Sequence, residues 1–296
     1  MQNGEYPVIV NGIRHWYKVG GAEHRTTPVV VIHGGPGGNV YNFERTVGPR
    51  LEAFATIVYY EQRGCGRSDP PGDPGAYSIP ILVADLEALR RAIGVERIIP
   101  LGFSFGGELV LEYALAHPDR AEKLIAQAPS VGGSARTVAV QLAGFHSIAQ
   151  GEIKRQIQMI VDGEGAPGDR LERVWEVVDR ETVDCFLFHK VEVARLNRRL
   201  WTESGLVNTG DMRRALWLQP RGTPPLLDRL GDIRVPTLII VGLHDRNVGV
   251  DVCKEAAARI PSARLVIFER SAHFPEMEEP ERYAAMIREF LALEGR

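Results

Sequence analysis

Short apolar runs recur along the chain at positions 29–32, 56–60, 97–101, 123–128, 237–241 and 264–268. They are rich in β-branched residues and too short for ordinary helices, and several are apolar throughout, the pattern of strands covered on both faces. Between them, positions 81–93, 108–116, 250–260 and 281–293 space their apolar residues at helical intervals. Strand followed by helix, repeated, predicts a mainly parallel sheet flanked by helices. Ahead of this series, positions 7–10 and 13–19 flank Asn11-Gly12, a dipeptide suited to a tight hairpin, so the sheet is expected to open with an antiparallel pair. The alternation fails once. Positions 132–225 hold no buried-strand pattern, only helical stretches around 138–161 and 171–200 separated by the glycine-rich segment 163–168. The expected organisation is a core built from 1–131 and 226–296, with an inserted helical cap over 132–225.

Composition changes this picture little. Of 296 residues, 44% are hydrophobic and 25% charged, enough apolar side chains for a large buried core. A formal net charge of -3 gives no basis for a nucleic-acid surface. Cys65, Cys185 and Cys253 are odd in number and widely spaced, which fits reduced thiols and neither a disulfide framework nor a metal site. The first 21 residues lack a continuous apolar stretch, and no run of about 18 apolar residues occurs anywhere. A cytoplasmic protein with no membrane partner is the expectation.

The chemistry concentrates at the ends of the predicted strands. Gly102-Phe103-Ser104-Phe105-Gly106 fits Gly-x-Ser-x-Gly where a strand meets a helix, a turn that projects a serine hydroxyl outward. A glycine-rich turn with an incidental serine is the alternative. A serine hydroxyl needs a base and an orienting carboxylate. Asp245 and His273 each follow a predicted strand, and the order Ser, Asp, His is the one this fold requires. Taken singly, Asp245 could cap the helix that follows it and His273 could be a solvated loop residue. His244 is a rival base, but it shares the loop that must position the acid. His33-Gly34-Gly35-Pro36-Gly37-Gly38 follows another strand, and the backbone amides of Gly35 and Phe105 are the expected oxyanion donors. The spacing fits neither a phosphate cradle nor a dinucleotide loop. The mechanism calls for no metal or organic cofactor.

The run His33-Gly34-Gly35-Pro36-Gly37, with Glu61-Gln62-Arg63-Gly64-Cys65-Gly66-Arg67-Ser68, resembles the proline iminopeptidase family of α/β-hydrolases. The resemblance spans nearly the whole sheet domain. It implies the α/β-hydrolase fold with a helical cap, catalysis by Ser104, Asp245 and His273, and release of amino-terminal residues from peptides. Two departures loosen the substrate assignment: Glu61 stands where the family usually has Asp, and Gly-Phe-Ser-Phe-Gly where it commonly has Gly-Gly-Ser-Trp-Gly. Arg63 is expected to tie its loop to neighbouring carbonyls.

An aminopeptidase must hold a positively charged amine, which calls for a carboxylate near the substrate. Glu176, Glu181, Glu192 and Glu203 lie in predicted cap segments, where a solvated face is the commoner fate. Among these, Glu176 and Glu203, with the aromatics Trp201 and Trp217, are the substrate-binding candidates. Trp175, Phe186 and Phe188 are further cap aromatics, most of them expected in the core. Arg195, Arg198, Arg199 and Arg246 place positive charge nearby, which would suit a neutral ester or lactone. The leading expectation is an aminopeptidase acting on short peptides or amides, followed by a carboxylesterase or lactonase, and then by a slow-turnover small-molecule receptor on the same fold.

Overall fold

Strands β1 (Gly4–Val10), β2 (Ile13–Gly20), β3 (Val29–Ile32), β4 (Ile57–Glu61), β5 (Ile99–Phe103), β6 (Leu124–Gln127), β7 (Thr237–Gly242) and β8 (Ala263–Phe268) form one sheet in the order β1-β2-β4-β3-β5-β6-β7-β8. They belong to a computed structural model that describes residues 1–131, 135–206, 210–218 and 224–293, the side chains at 217 and 218 excepted. β2 runs antiparallel to both its neighbours, and every other pairing is parallel. This is the mainly parallel sheet with an antiparallel opening that the hydrophobic pattern predicts. The hairpin turns on Asn11 and Gly12, both at positive φ (47° and 81°).

Side-chain alternation explains which runs became which strands. β3 to β7 are buried throughout because helices cover both faces. In β3, Val30 and Ile32 face one hydrophobic cluster and Val29 and Val31 the other. The first cluster receives helices 79–92, 105–116 and 250–259 through Leu82, Leu109 and Val252. The second receives helices 41–45, 48–52 and 280–292 through Phe43, Leu51 and Tyr283. β1, at the sheet edge, alternates partly buried with exposed positions.

Between β6 and β7 the described residues hold helices and no strand: Ala135–Ile148, Gly151–Asp162, Pro167–Val177, Arg180–Leu187, Val191–Ser204, Gly210–Leu218 and Leu226–Arg229, the last running into a 3-10 turn at Leu230–Asp232. The two long helical stretches expected here are therefore broken into shorter helices. Gly151 at φ 54° marks the first break, Pro167 begins a new helix, and Asp179 caps another by accepting from the Thr182 N–H. The expected cap boundary at 132 and most of the proline-rich return at 220–225 lie outside the described residues. No helix among the described residues is long and apolar enough to cross a membrane.

Arg63 ties its loop to the Ala76 carbonyl (3.1 Å), as expected, but its main partner is a carboxylate. Nε and Nη2 form a fork on Asp85 at 2.6 and 2.7 Å, with the side chains 7% and 1% exposed. Removing one member of a buried pair strands the other charge. Asp85→Ala is expected to lower the unfolding free energy by about 3–5 kcal/mol in urea titrations; a change within about 0.5 kcal/mol would contradict this assignment.

Candidate active site

Ser104 sits between β5 and helix Phe105–Ala116 at φ 56°, ψ -120°, a conformation a non-glycine residue seldom adopts. The turn is tight enough that a Cβ on Gly102 would lie 2.0 Å from the Gly106 carbonyl oxygen. Glycine at that position is thus dictated by backbone contact. The Ser104 N–H donates to the Gln127 carbonyl on β6 (2.9 Å), and the Ser104 carbonyl accepts from Gly107, Glu108 and Ser130. Phe105 is the first residue of the helix, where an N–H has no intrahelical acceptor. Gly34 and Gly35 follow β3 and line the same cavity as Ser104 and Phe105.

Asp245 follows β7 and His273 follows β8, so the sheet brings together residues 28 apart in sequence: His273 Nδ1 donates to Asp245 Oδ2 at 3.0 Å. Asp245 Oδ1 accepts from the N–H groups of Asn247 (2.8 Å) and Val248 (3.0 Å). Burial alone would raise the Asp245 carboxyl, but His273 and these two amides outweigh it and hold it below its ordinary value. For His273 burial acts downward, and the Asp245 charge, with a smaller contribution from Glu276, lifts the ring above its ordinary value. The His273 loop is pinned by neighbouring carboxylates. Glu278 accepts from the N–H groups of Ala272, His189 and Lys190, while Glu279 accepts from the Arg270 N–H and the Ser271 hydroxyl.

The other ring nitrogen, Nε2, contacts Asn247 Nδ2 at 3.0 Å. This contact ends a chain that begins in the helices between β6 and β7. Trp175 Nε1 donates to Gln141 Oε1 (3.4 Å), and Gln141 Nε2 to Asn247 Oδ1 (2.8 Å). Because an indole nitrogen can only donate, the order of donors and acceptors fixes each amide in turn and leaves the His273 proton on Nδ1, towards Asp245.

Ser104, His273 and the Gly35 turn line one cavity of about 750 Å³. Trp201 lines it too, as does Trp175. Glu176 and Glu203 are exposed and lie outside its lining, and Glu203 accepts from the Tyr41 hydroxyl (3.0 Å). The Trp217 side chain lies outside the described residues. Phe186 and Phe188 are buried, as expected of core aromatics. His244 stacks on His189, with centroids 4.1 Å apart, and is absent from the cavity lining. Cys65 is buried, and burial pushes its thiol up.

Two features differ from expectation. Arg195, Arg198 and Arg246 line a separate cleft of about 690 Å³, because Asp245 turns inward to His273 while its neighbour Arg246 binds the Cys185 and His244 carbonyls. Arg198 pairs with Asp184. Among the described residues, the Ser104 cavity is instead lined by three glutamates, Glu108, Glu172 and Glu276, and one arginine, Arg213. Sequence reasoning also missed Gln127, Gln141 and Asn247. Gln127 and Asn247 had a usable signal, since each stands at or just beyond the C-terminal end of a strand, where the sites of such sheets gather. Gln141 had none.

A family model described as the alpha/beta hydrolase fold matches residues 27–159. A proline iminopeptidase of Saccharolobus solfataricus is 30% identical over 292 residues, covering 95% of this chain and 89% of that protein. A 2-hydroxy-6-oxononadienedioate/2-hydroxy-6-oxononatrienedioate hydrolase of Paraburkholderia xenovorans is 30% identical over 266 residues, covering 89% and 86%. The crystal structure of a proline iminopeptidase-related protein from Thermus thermophilus aligns with a TM-score of 0.80 at 26% identity, over 99% of this chain and 98% of that one.

The Asn247 contact makes a directional prediction. Its N–H donates to an unprotonated Nε2, so it favours the neutral ring, and its loss favours the imidazolium. Asn247→Ala is expected to raise the His273 pKa and shift the acid limb of the kcat/KM profile upward by about 0.5–1 unit, since one hydrogen bond is worth about 1 kcal/mol. A downward shift would contradict this assignment of the bond.

Proposed function

The chain belongs to the α/β-hydrolase fold family and is a hydrolase, and from that premise we propose that it works as a serine hydrolase with Ser104, His273 and Asp245 as its triad. Ser104 Oγ attacks a carbonyl carbon and passes its proton to His273 Nε2, which exchanges its contact with Asn247 for one with the nucleophile. Asp245 holds the imidazolium. The N–H groups of Gly35 and Phe105 receive the oxyanion. Collapse of the tetrahedral intermediate expels the amine, which takes the proton from His273; water, deprotonated by the same ring, then releases the acid and restores Ser104. The helices between β6 and β7 act as a cap that covers the cavity and limits water.

We infer that the substrate is a short peptide or amide with a free amino-terminal residue. The observation that carries this reading is the acidic lining of the Ser104 cavity, where among the described residues three glutamates stand against one arginine, a balance that suits an ammonium group. The relationship to proline iminopeptidases supports it. Of the four arginines that would have favoured a neutral ester, Arg195, Arg198 and Arg246 line the other cleft. A second reading, cleavage of a carbon–carbon bond beside a ketone in an anionic dienoate, draws on the Paraburkholderia relative and on Arg213 in the cavity.

The test compares proline p-nitroanilide, its N-acetyl analogue, a short-chain p-nitrophenyl ester and a 2-hydroxy-6-oxo-dienoate. Preference for the free-amine anilide, with kcat reduced at least about a thousandfold in Ser104→Ala, is the expected result. Preference for the dienoate or the ester would overturn the substrate assignment, and undiminished activity in Ser104→Ala would overturn the mechanism.

A further inference from the structure

We propose that Glu276 is the specificity-determining carboxylate of this site and receives the protonated amine next to the scissile carbonyl. The proposal rests on the aminopeptidase reading above and names the residue that would enforce it. Glu276 stands three positions after His273, in the short helix Pro275–Glu278; it is 2% exposed and lines the same cavity as Ser104 and His273.

Its position is fixed through Gln127, the last residue of β6. Gln127 Nε2 donates to Glu276 Oε2 at 2.6 Å and approaches the His273 carbonyl at 3.4 Å, while the Gln127 carbonyl accepts the Ser104 N–H. One residue thus ties the carboxylate to both the nucleophile and the base. That coupling matters because the amine of an α-amino acyl group is two bonds, about 2.5 Å, from the carbonyl carbon under attack. A carboxylate that recognises it has to be carried close to Ser104, and Glu176 and Glu203, on the outer surface, are not.

Among the described residues no Lys or Arg is paired with Glu276, and its one cationic neighbour is the His273 ring, which also serves Asp245. Its side-chain hydrogen bond comes from the neutral amide of Gln127. A buried carboxylate without a cation is costly. Burial pushes the Glu276 carboxyl up to about 7, against the pull of its own backbone N–H, Gln127 and His273, with Glu278 adding to the rise. Tyr283, whose hydroxyl is buried, is a further titratable neighbour that interacts with it. An ammonium arriving beside Glu276 would supply the missing positive charge and favour the ionised carboxylate, and a blocked or neutral amine would not. The carboxylate thus discriminates by charge at the atom that distinguishes an amino-terminal residue from an internal one.

Glu276→Gln is nearly isosteric and keeps an oxygen to accept from Gln127, so the fold is expected to survive, with thermal unfolding as the check. The measured quantity is the ratio of kcat/KM for proline p-nitroanilide to that for its N-acetyl analogue. Changes in His273 affect both substrates and cancel in this ratio. In the wild-type protein the ratio is expected to exceed about 100, on the scale of a charged hydrogen bond in a dry site. In Glu276→Gln it is expected to fall at least tenfold, mainly through KM, and Glu276→Asp is expected to restore part of it. Gln127→Met, which frees the carboxylate, provides a second variant with the same expected direction. A folded Glu276→Gln protein that keeps the wild-type ratio would overturn the proposal and leave the aminopeptidase reading standing. A wild-type ratio near one would overturn both.

Discussion

Ser104 at φ 56°, ψ -120° stores strain of order 1–3 kcal/mol for a non-glycine residue, and much of the molecule holds it there. β5 is buried between β3 and β6, so the strand cannot shift to relax the turn. The contact between Gly102 and Gly106 lets the chain reverse within one helical turn, and the hydrogen bonds of Ser104 to Gln127 and Ser130 clamp both of its sides. Because the hydroxyl is carried on a fixed backbone, the remaining groups need only be delivered to it from other strand ends of the same sheet. The parallel sheet does this by placing the ends of β3, β6, β7 and β8 around the end of β5.

The electrostatics of the site follow from two carboxylates in contrasting surroundings. Asp245 accepts three hydrogen bonds and stays ionised, while Glu276 has an amide for a partner and sits near neutrality. Such a separation of two acids around one histidine allows them different tasks. The chain from Trp175 through Gln141 and Asn247 adds a link between the helical layer and the ring nitrogen that we propose takes the proton. Movement of those helices therefore reaches His273 through hydrogen bonds as well as through the shape of the cavity.

Much of the core was legible in the sequence because fully buried parallel strands leave continuous apolar runs and because glycines mark where backbones touch. The positions of Ser104, Asp245 and His273 at strand ends could be read for the same reason. The helices between β6 and β7 were legible only as a class. Their breaks depend on local features such as Gly151 and the Asp179 cap, which are weak signals in a polar sequence. The charge of the cavity was illegible because it depends on which way each side chain turns. Arg246 adjoins Asp245 in sequence yet faces another cleft, whereas Glu276 stands in a run of acidic residues that looks like a solvated helix start and is buried. Gln127 could be noticed as the end of an apolar strand, but its bonds to the Ser104 turn and to the segment after β8 are set by tertiary packing.

The most direct test of the account is reaction with a serine-directed organophosphorus reagent such as diisopropyl fluorophosphate, followed by intact-mass measurement and peptide mapping. One adduct per chain is expected, located on Ser104 and formed far more slowly when His273 is replaced by Ala. Absence of an adduct on the folded protein, or an adduct on another residue with Ser104 unmodified, would contradict it.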